Sequence, residues 1–185
     1  MKTTRMTQKE SQKRIFKKIL KYGRPVLMSD AFRAAYAEVH HLKGNLADHI
    51  LNVTIMGCLL CEKEQQHQRA VNEKQVVLAC LCHDLGMTGR DTLYRDRLSA
   101  WREHAEESVR RARAILPDLD QTTADAIKTH MWPVSGRPPR TREGRIVLMA
   151  DKIASAIDWF SFVQHKPWQH RIKERVEVFV KTACL

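Results

Sequence analysis

Apolar residues recur at helical spacing along most of the chain, and short beta-branched runs never alternate cleanly with polar residues, so the pattern predicts helices and no strands. Ile15, Phe16, Ile19 and Leu20 form a narrow stripe on a basic first helix. Gly23-Arg24-Pro25 is expected to end it, because proline disfavours helical geometry in the residue before it. Ser29 or Asp30 caps a second helix expected to reach about His40. A third, from about Leu46 to Gln66, is apolar on most faces and should be central. Asn72 with Gln75 caps a fourth, which passes Val76 to Leu85 with almost no polar residue before His83-Asp84 and closes at Gly86 and Gly89. Ser99 caps a helix from about Ala100 to Leu116, which Pro117 terminates, and Asp120 caps a shorter one ending near His130 or Met131. A loop with Pro133, Gly136, Pro138 and Pro139 precedes a helix from about Arg145 to Val163. In the last helix Ile172, Val176, Phe179, Val180 and Ala183 share a face. The fold class is therefore all-α, in one domain.

Length and composition narrow the setting. A chain of 185 residues buries enough core to fold without staples, and no apolar run is long enough to span a bilayer. Met1 to Lys13 lacks the apolar centre of a secretory signal, so a cytoplasmic location is expected. Cys58, Cys61, Cys80 and Cys82 sit among apolar neighbours and Cys184 near the end, which suits reduced core thiols better than disulfides or a zinc-thiolate site. The net charge of +11 favours anionic partners such as phosphates, nucleotides or nucleic acid. Much of it lies in Lys2, Arg5, Lys9, Lys13, Arg14, Lys17, Lys18, Lys21 and Arg24, facing only Glu10. A solvated helix face explains that run more economically than a nucleic-acid or membrane contact.

The chemistry lies in polar residues where the pattern demands core. His83-Asp84 ends an apolar helix, His49 is followed at helical spacing by Val53, Met56 and Leu60, and Asp151 is flanked by Val147, Leu148 and Ala154. A buried carboxylate must be paired, hydrogen-bonded or bound to a cation. Any one of these histidines taken alone is better read as a satisfied core residue; the set together favours a shared divalent metal, and imidazole with carboxylate suits Mn, Fe or Zn better than Ca or Mg.

The ordered set His49, His83-Asp84, Asp151 resembles the HD superfamily of metal-dependent phosphohydrolases, over about Leu46 to Ile157. Asp48-His49-Ile50-Leu51-Asn52-Val53 resembles the family's first-histidine helix, Cys82-His83-Asp84-Leu85-Gly86 its doublet, and Ala150-Asp151-Lys152-Ile153 its last-ligand helix. The resemblance implies an HD-domain helical bundle: residues 1–45 as N-terminal helices packing on the core, 46–164 as the metal-binding core and 165–185 as a C-terminal amphipathic helix of the same globular unit. His104 and His130 resemble the extra ligands of dinuclear members. One ion would then take His49, His83, Asp84 and Asp151, and a second Asp84, His104 and His130. The implied cofactor is one or two divalent ions of Fe, Mn, Zn, Co or Ni. The glycine-tyrosine-proline signature of the cyclic-di-GMP branch is missing, which disfavours that branch.

The implied activity is hydrolysis of a phosphate ester or anhydride by water that the metal acidifies. Asp84, Lys152, Arg90 and Asp91 are the candidate catalytic residues, Arg90 and Asp91 to orient substrate or protonate the leaving group. Lys152, Arg137, Arg140, Arg142 and Arg145 are candidates for gripping phosphate, and Trp132 for stacking on a base. Trp101, Trp159 and Trp168 read as core or rim anchors, His40 and His41 as a structural pair, and His67, His165 and His170 have no supporting context. The expected partner is a small phosphorylated substrate, a nucleoside monophosphate or, by likeness to a dinuclear diadenosine-tetraphosphate hydrolase branch, a dinucleoside polyphosphate. Nucleic acid is less favoured. The rival reading is a non-catalytic metal-containing module that binds RNA or another anion through its basic surface.

Overall fold

The computed structural model describes residues 7–40, 44–160 and 167–182. Lys2, Arg5, His41, Val163, His165, Ala183 and Cys184 lie outside the described residues, as do the side chains of His40, Trp159 and Trp168. The helices are α1 (Gln8–Leu27), α2 (Asp30–Ala34), α3 (Leu46–Gln66), α4 (Glu73–Cys82), α5 (Arg90–Leu93), α6 (Arg97–Ile115), α7 (Gln121–Thr129), α8 (Arg142–Phe160) and α9 (Pro167–Thr182), with a 3-10 turn at Leu85–Met87. The fold is all-α. None of the described helices is long and apolar enough to cross a membrane.

α3 is central because it has apolar residues nearly all round. Ile50, Val53, Ile55 and Cys58 are buried, and the helix packs against both α4 and α8. α4 in turn packs on α1 and α7, α7 on α6 and α8, and α1 on α9. Cys58, Cys61, Cys80 and Cys82 are buried free thiols in this core. Burial pushes Cys61 and Cys82 up to about 12 and Cys58 and Cys80 in the same direction, so all four stay protonated and apolar.

Three elements differ from the sequence pattern. α1 continues through Pro25 to Leu27. Pro25 falls in the last turn, where its missing N–H costs one bond, and the fully buried Val26 and Leu27 hold the chain to the core. α2 stops at Ala34, and the segment expected to be helical up to His40 folds back to start α3. Leu46 N–H donates to the Glu38 carbonyl, and Val39–His40 pairs antiparallel with Gly44–Asn45 in a two-residue ladder. Such a short ladder leaves no alternating pattern to detect. α6 begins at Arg97 because Asp96 caps it, its side chain accepting from Ser99 N–H at 2.8 Å while Ser99 Oγ accepts from Asp96 N–H.

The 3-10 turn after α4 is fixed against α6, which sets the position of His83-Asp84. Gly86 N–H donates to Ser108 Oγ at 2.8 Å, and Tyr94 donates its hydroxyl to the Gly86 carbonyl at 2.9 Å. The Arg111 guanidinium donates to the carbonyls of Leu85 at 2.9 Å and Thr88 at 3.0 Å. A Cβ at Gly86 would lie 2.2 Å from the His104 carbonyl oxygen, a backbone atom that cannot swing aside. Gly86→Ala should therefore cost about 1–3 kcal/mol, seen as a lower denaturant midpoint at unchanged slope. An unchanged midpoint would mean that α6 does not seat this turn.

Candidate metal centre

Five helices each deliver part of one buried cluster. His49 comes from the first turn of α3, whose N-cap Asn45 accepts the Asp48 N–H at 2.7 Å. His83 is the C-cap of α4, with Asp84 the next residue. His104 projects from α6, His130 from the C-cap of α7 and Asp151 from α8. None of the six is more than 6% exposed, so bulk water does not solvate their polar atoms, which need partners inside the protein.

The contacts fall into two groups that share Asp84. Asp84 Oδ2 lies 3.7 Å from His49 Nε2 and 3.4 Å from His83 Nε2. Asp151 Oδ1 closes that side, 3.4 Å from His49 Nε2 and 3.9 Å from His83 Nε2. Asp84 Oδ1 lies 3.3 Å from His104 Nε2 and 3.4 Å from His130 Nε2, and these two nitrogens are 3.3 Å apart. His49, His83 and Asp84, and Asp84, His104 and His130, are the two sets among the described residues whose ligand atoms converge as a metal requires; neither contains a cysteine.

Which atoms carry protons follows from the outer contacts. The Nδ1 atoms of His83, His104 and His130 face the carbonyls of Cys80, Ala100 and Ile127 at 2.8, 2.9 and 2.6 Å. A carbonyl only accepts, so each Nδ1 donates and each neutral imidazole turns its Nε2 lone pair inward. His49 Nδ1 likewise faces Asp158 Oδ2 at 3.1 Å. Apart from the Ser155 hydroxyl and the Lys152 ammonium on Asp151, the centre thus consists of acceptors pointed at acceptors, and among the described residues buried His83 Nε2 has no hydrogen-bond partner. Only positive charge makes this arrangement favourable. Ligand bonds of about 2.1 Å at tetrahedral or octahedral angles separate neighbouring ligand atoms by roughly 3.0–3.4 Å, and the observed spacings match or slightly exceed that range. The residues fit divalent metal.

Without metal, protons would have to serve. Burial opposes charge on His49, but hydrogen bonds to Asp151 and Asp158 outweigh it and push this imidazole up to about 10. Burial pulls His83 down to about 4, despite the nearby Asp84. His104 is raised because Asp84 outweighs its burial. Burial would raise Asp84 and Asp151, yet the surrounding imidazoles hold both below the usual carboxylate range.

The other candidate residues are placed less uniformly. Lys152 is half exposed beside the cluster, Nζ 3.4 Å from Asp151 Oδ2. Arg90 and Asp91 begin α5, just past the 3-10 turn, with Asp91 exposed. Trp132, two residues after His130, and Trp101, one turn before His104, are both exposed. Arg140 and Arg145 are exposed, Arg145 about a third of a turn round α8 from Asp151. Arg137 and Arg142 each have a partner outside the cluster. Arg137 pairs with Asp125 at 2.7 Å. Arg142 donates to the Ala70 carbonyl at 2.6 Å and lies 3.5 Å from Glu64, about 22 Å along α3 from His49. His67 ends α3 and His170 pairs with Glu174 at 3.2 Å, both exposed.

Asp158 is a site residue that the sequence pattern did not single out. It grips His49 Nδ1 and accepts from Asn52 Nδ2 at 2.9 Å. The available signal was its spacing: it follows Asp151 by seven residues, which returns a helix to the same face.

A family model for the HD domain matches residues 46–156, more than half of the 185-residue chain. The chain belongs to the HD domain family. Neither the curated proteins nor the solved structures gave a match. HD domains bind divalent metals and are typically metal-dependent hydrolases, and in this HD domain the doublet His83-Asp84 stands where the two groups of ligand atoms meet.

Removing the carboxylate that orients His49, in Asp158→Ala, should weaken metal binding about 10–100-fold by competition with a chromogenic chelator; unchanged affinity would remove Asp158 from the account. Because metal-free His49 holds its proton up to a pH of about 10, binding must displace that proton, and affinity should rise roughly tenfold from about pH 7 to about pH 8. Calorimetry in buffers of different ionisation enthalpy counts the released protons, and finding none would contradict the assignment.

Proposed function

We propose that this HD domain is a metal-dependent phosphohydrolase acting on a small phosphorylated substrate, with a nucleoside monophosphate or dinucleoside polyphosphate as the best-fitting class. The observation that carries the reading is the double-sided use of Asp84: Oδ2 faces His49 and His83, and Oδ1 faces His104 and His130. A carboxylate placed between two donor sets could help to hold two ions, which would supply charge neutralisation for displacement at phosphorus. His49, His83, Asp84 and Asp151 would hold the first, and Asp84, His104 and His130 the second. Fe, Mn, Zn, Co and Ni all suit nitrogen and carboxylate donors of this kind.

When bound, the ions supply Lewis acidity and acidify water. The chain's own groups supply the rest. Asp158 holds the proton on His49 Nδ1 and so keeps Nε2 directed inward. Lys152, with its ammonium beside Asp151 and open to solvent, draws in the phosphate and offsets its charge. Arg90 and Asp91, at the start of α5 just past the doublet's turn, orient substrate or protonate the leaving group in this reading. Trp132 offers an exposed ring next to His130 for stacking a base. The excess of 32 basic over 21 acidic residues raises the local concentration of any such anion. In this reading residues 46–164 form the metal-binding core and the flanking helices complete the same globular unit.

The test is a screen of aryl phosphate, nucleoside monophosphates and dinucleoside polyphosphates with protein reconstituted in each of the five metals. Released phosphate should disappear on chelation and fall by more than about 100-fold in Asp84→Asn, whereas Lys152→Ala should act mainly through KM. Metal-replete protein that turns over none of these substrates would overturn the reading and leave a metal-containing binding module.

A further inference from the structure

The solvent face of α1 is not used by the metal centre. Lys9, Lys13, Lys17 and Lys21 are all exposed and recur every four residues, about 6 Å apart along the axis, so they make one slowly winding basic stripe. None of the four forms an ion pair among the described residues, although neighbouring cations on the same helix do. Arg14 pairs with Glu62 at 2.6 Å, and Lys18 pairs with Glu62 at 3.3 Å and with Glu73. Like charges at this spacing repel one another along a helix. α1 tolerates them because its opposite face, with Ile15 and Ile19 fully buried, is anchored in the core. Lys13, Lys17, Lys21 and Tyr22 lie along an open groove of about 520 Å³ between α1 and the start of α4; its two carboxylates are already engaged, Glu10 in the capping box with Thr7 and Glu73 with Lys18. The Tyr22 ring has the Lys21 ammonium 5.0 Å from its centroid.

We propose that this face of α1 binds the phosphate backbone of a single-stranded nucleic acid. Unpaired lysines in register along a groove can neutralise successive phosphates, and a half-buried aromatic ring on the groove wall is a surface on which a base can stack. A membrane fits the face less well. Ile15, Ile19, Val26 and Leu27 are fully buried and Phe16 and Leu20 pack against the core, so α1 presents no apolar stripe for insertion, and the surface is concave. The site is separate from the metal centre. Glu73, on the groove, and His83 stand at opposite ends of α4, about 15 Å apart along its axis.

Fluorescence anisotropy of a labelled oligouridylate, titrated with the full chain over a range of salt concentrations, tests this. The wild-type chain should bind with affinity that falls steeply with salt. The triple variant Lys13→Gln, Lys17→Gln, Lys21→Gln, which keeps good helix formers, should bind at least tenfold more weakly at low salt. Its log–log salt slope should be shallower by about 2, near 0.7 for each phosphate that the variant leaves without a lysine. Circular dichroism, metal content and any hydrolytic activity should be unchanged in the variant. No binding of oligouridylate at low salt, or equal slopes for the two proteins, would overturn the proposal. So would displacement of the RNA by polyglutamate or by phosphatidylserine vesicles as readily as by unlabelled oligouridylate at matched charge, since the face would then be a general anion or membrane surface.

Discussion

Imidazole lone pairs and carboxylate oxygens, all buried, face one another across gaps of 3.3–3.9 Å at the centre of this bundle, and they coexist only around positive charge. Much else in the architecture serves that one constraint. Three of the four imidazoles have their outer nitrogen fixed by a backbone carbonyl and the fourth by Asp158, so the inner nitrogens have no alternative partner to turn towards. An ion bound by such a set also ties together α3, α4, α6, α7 and α8, and its binding free energy adds to the stability of the fold.

The apolar surroundings make the constraint strict. α3 and α4 are buried where they face the centre, with protonated core thiols in that core, and the neutral or cationic donors that reach the cluster, Ser155 and Lys152, both go to Asp151 and leave the imidazoles and Asp84 to one another. The close approach of Gly86 to the backbone of α6 brings His104 within reach of Asp84. The doublet is thus held against α6 by backbone contact together with Ser108 and Arg111, and by Tyr94 from beyond the turn. A pre-set site of this kind loses little to reorganisation when it takes up its ligands.

Much of this was legible in the sequence because it depends on periodicity and burial. The bounds of α3 can be read from its apolar run, and the residues of the cluster stand out as polar interruptions of core. Tertiary context decided what was not legible. Pro25 was expected to end α1, but the buried Val26 and Leu27 carry the helix past it. The segment after α2 turns back because α3 must start beside it, which no local propensity encodes. Arginine side chains reach several ångströms and find whichever acceptor the fold provides. Arg142 therefore ends on Ala70 and Arg137 on Asp125, although both looked equally suited to phosphate. Asp158 was hidden because its importance lies in touching His49, which stands 109 residues away in sequence.

The central claim is that metal ions, and not protons, occupy the space between these side chains. Anomalous X-ray diffraction from crystals of the metal-reconstituted protein, recorded on both sides of the metal's absorption edge, tests it most directly. The account predicts two peaks on either side of the Asp84 carboxylate, one next to the inner nitrogens of His49 and His83 and one next to those of His104 and His130. A single peak would remove the second ion, and no peak, with water or protons bridging those nitrogens, would contradict the account.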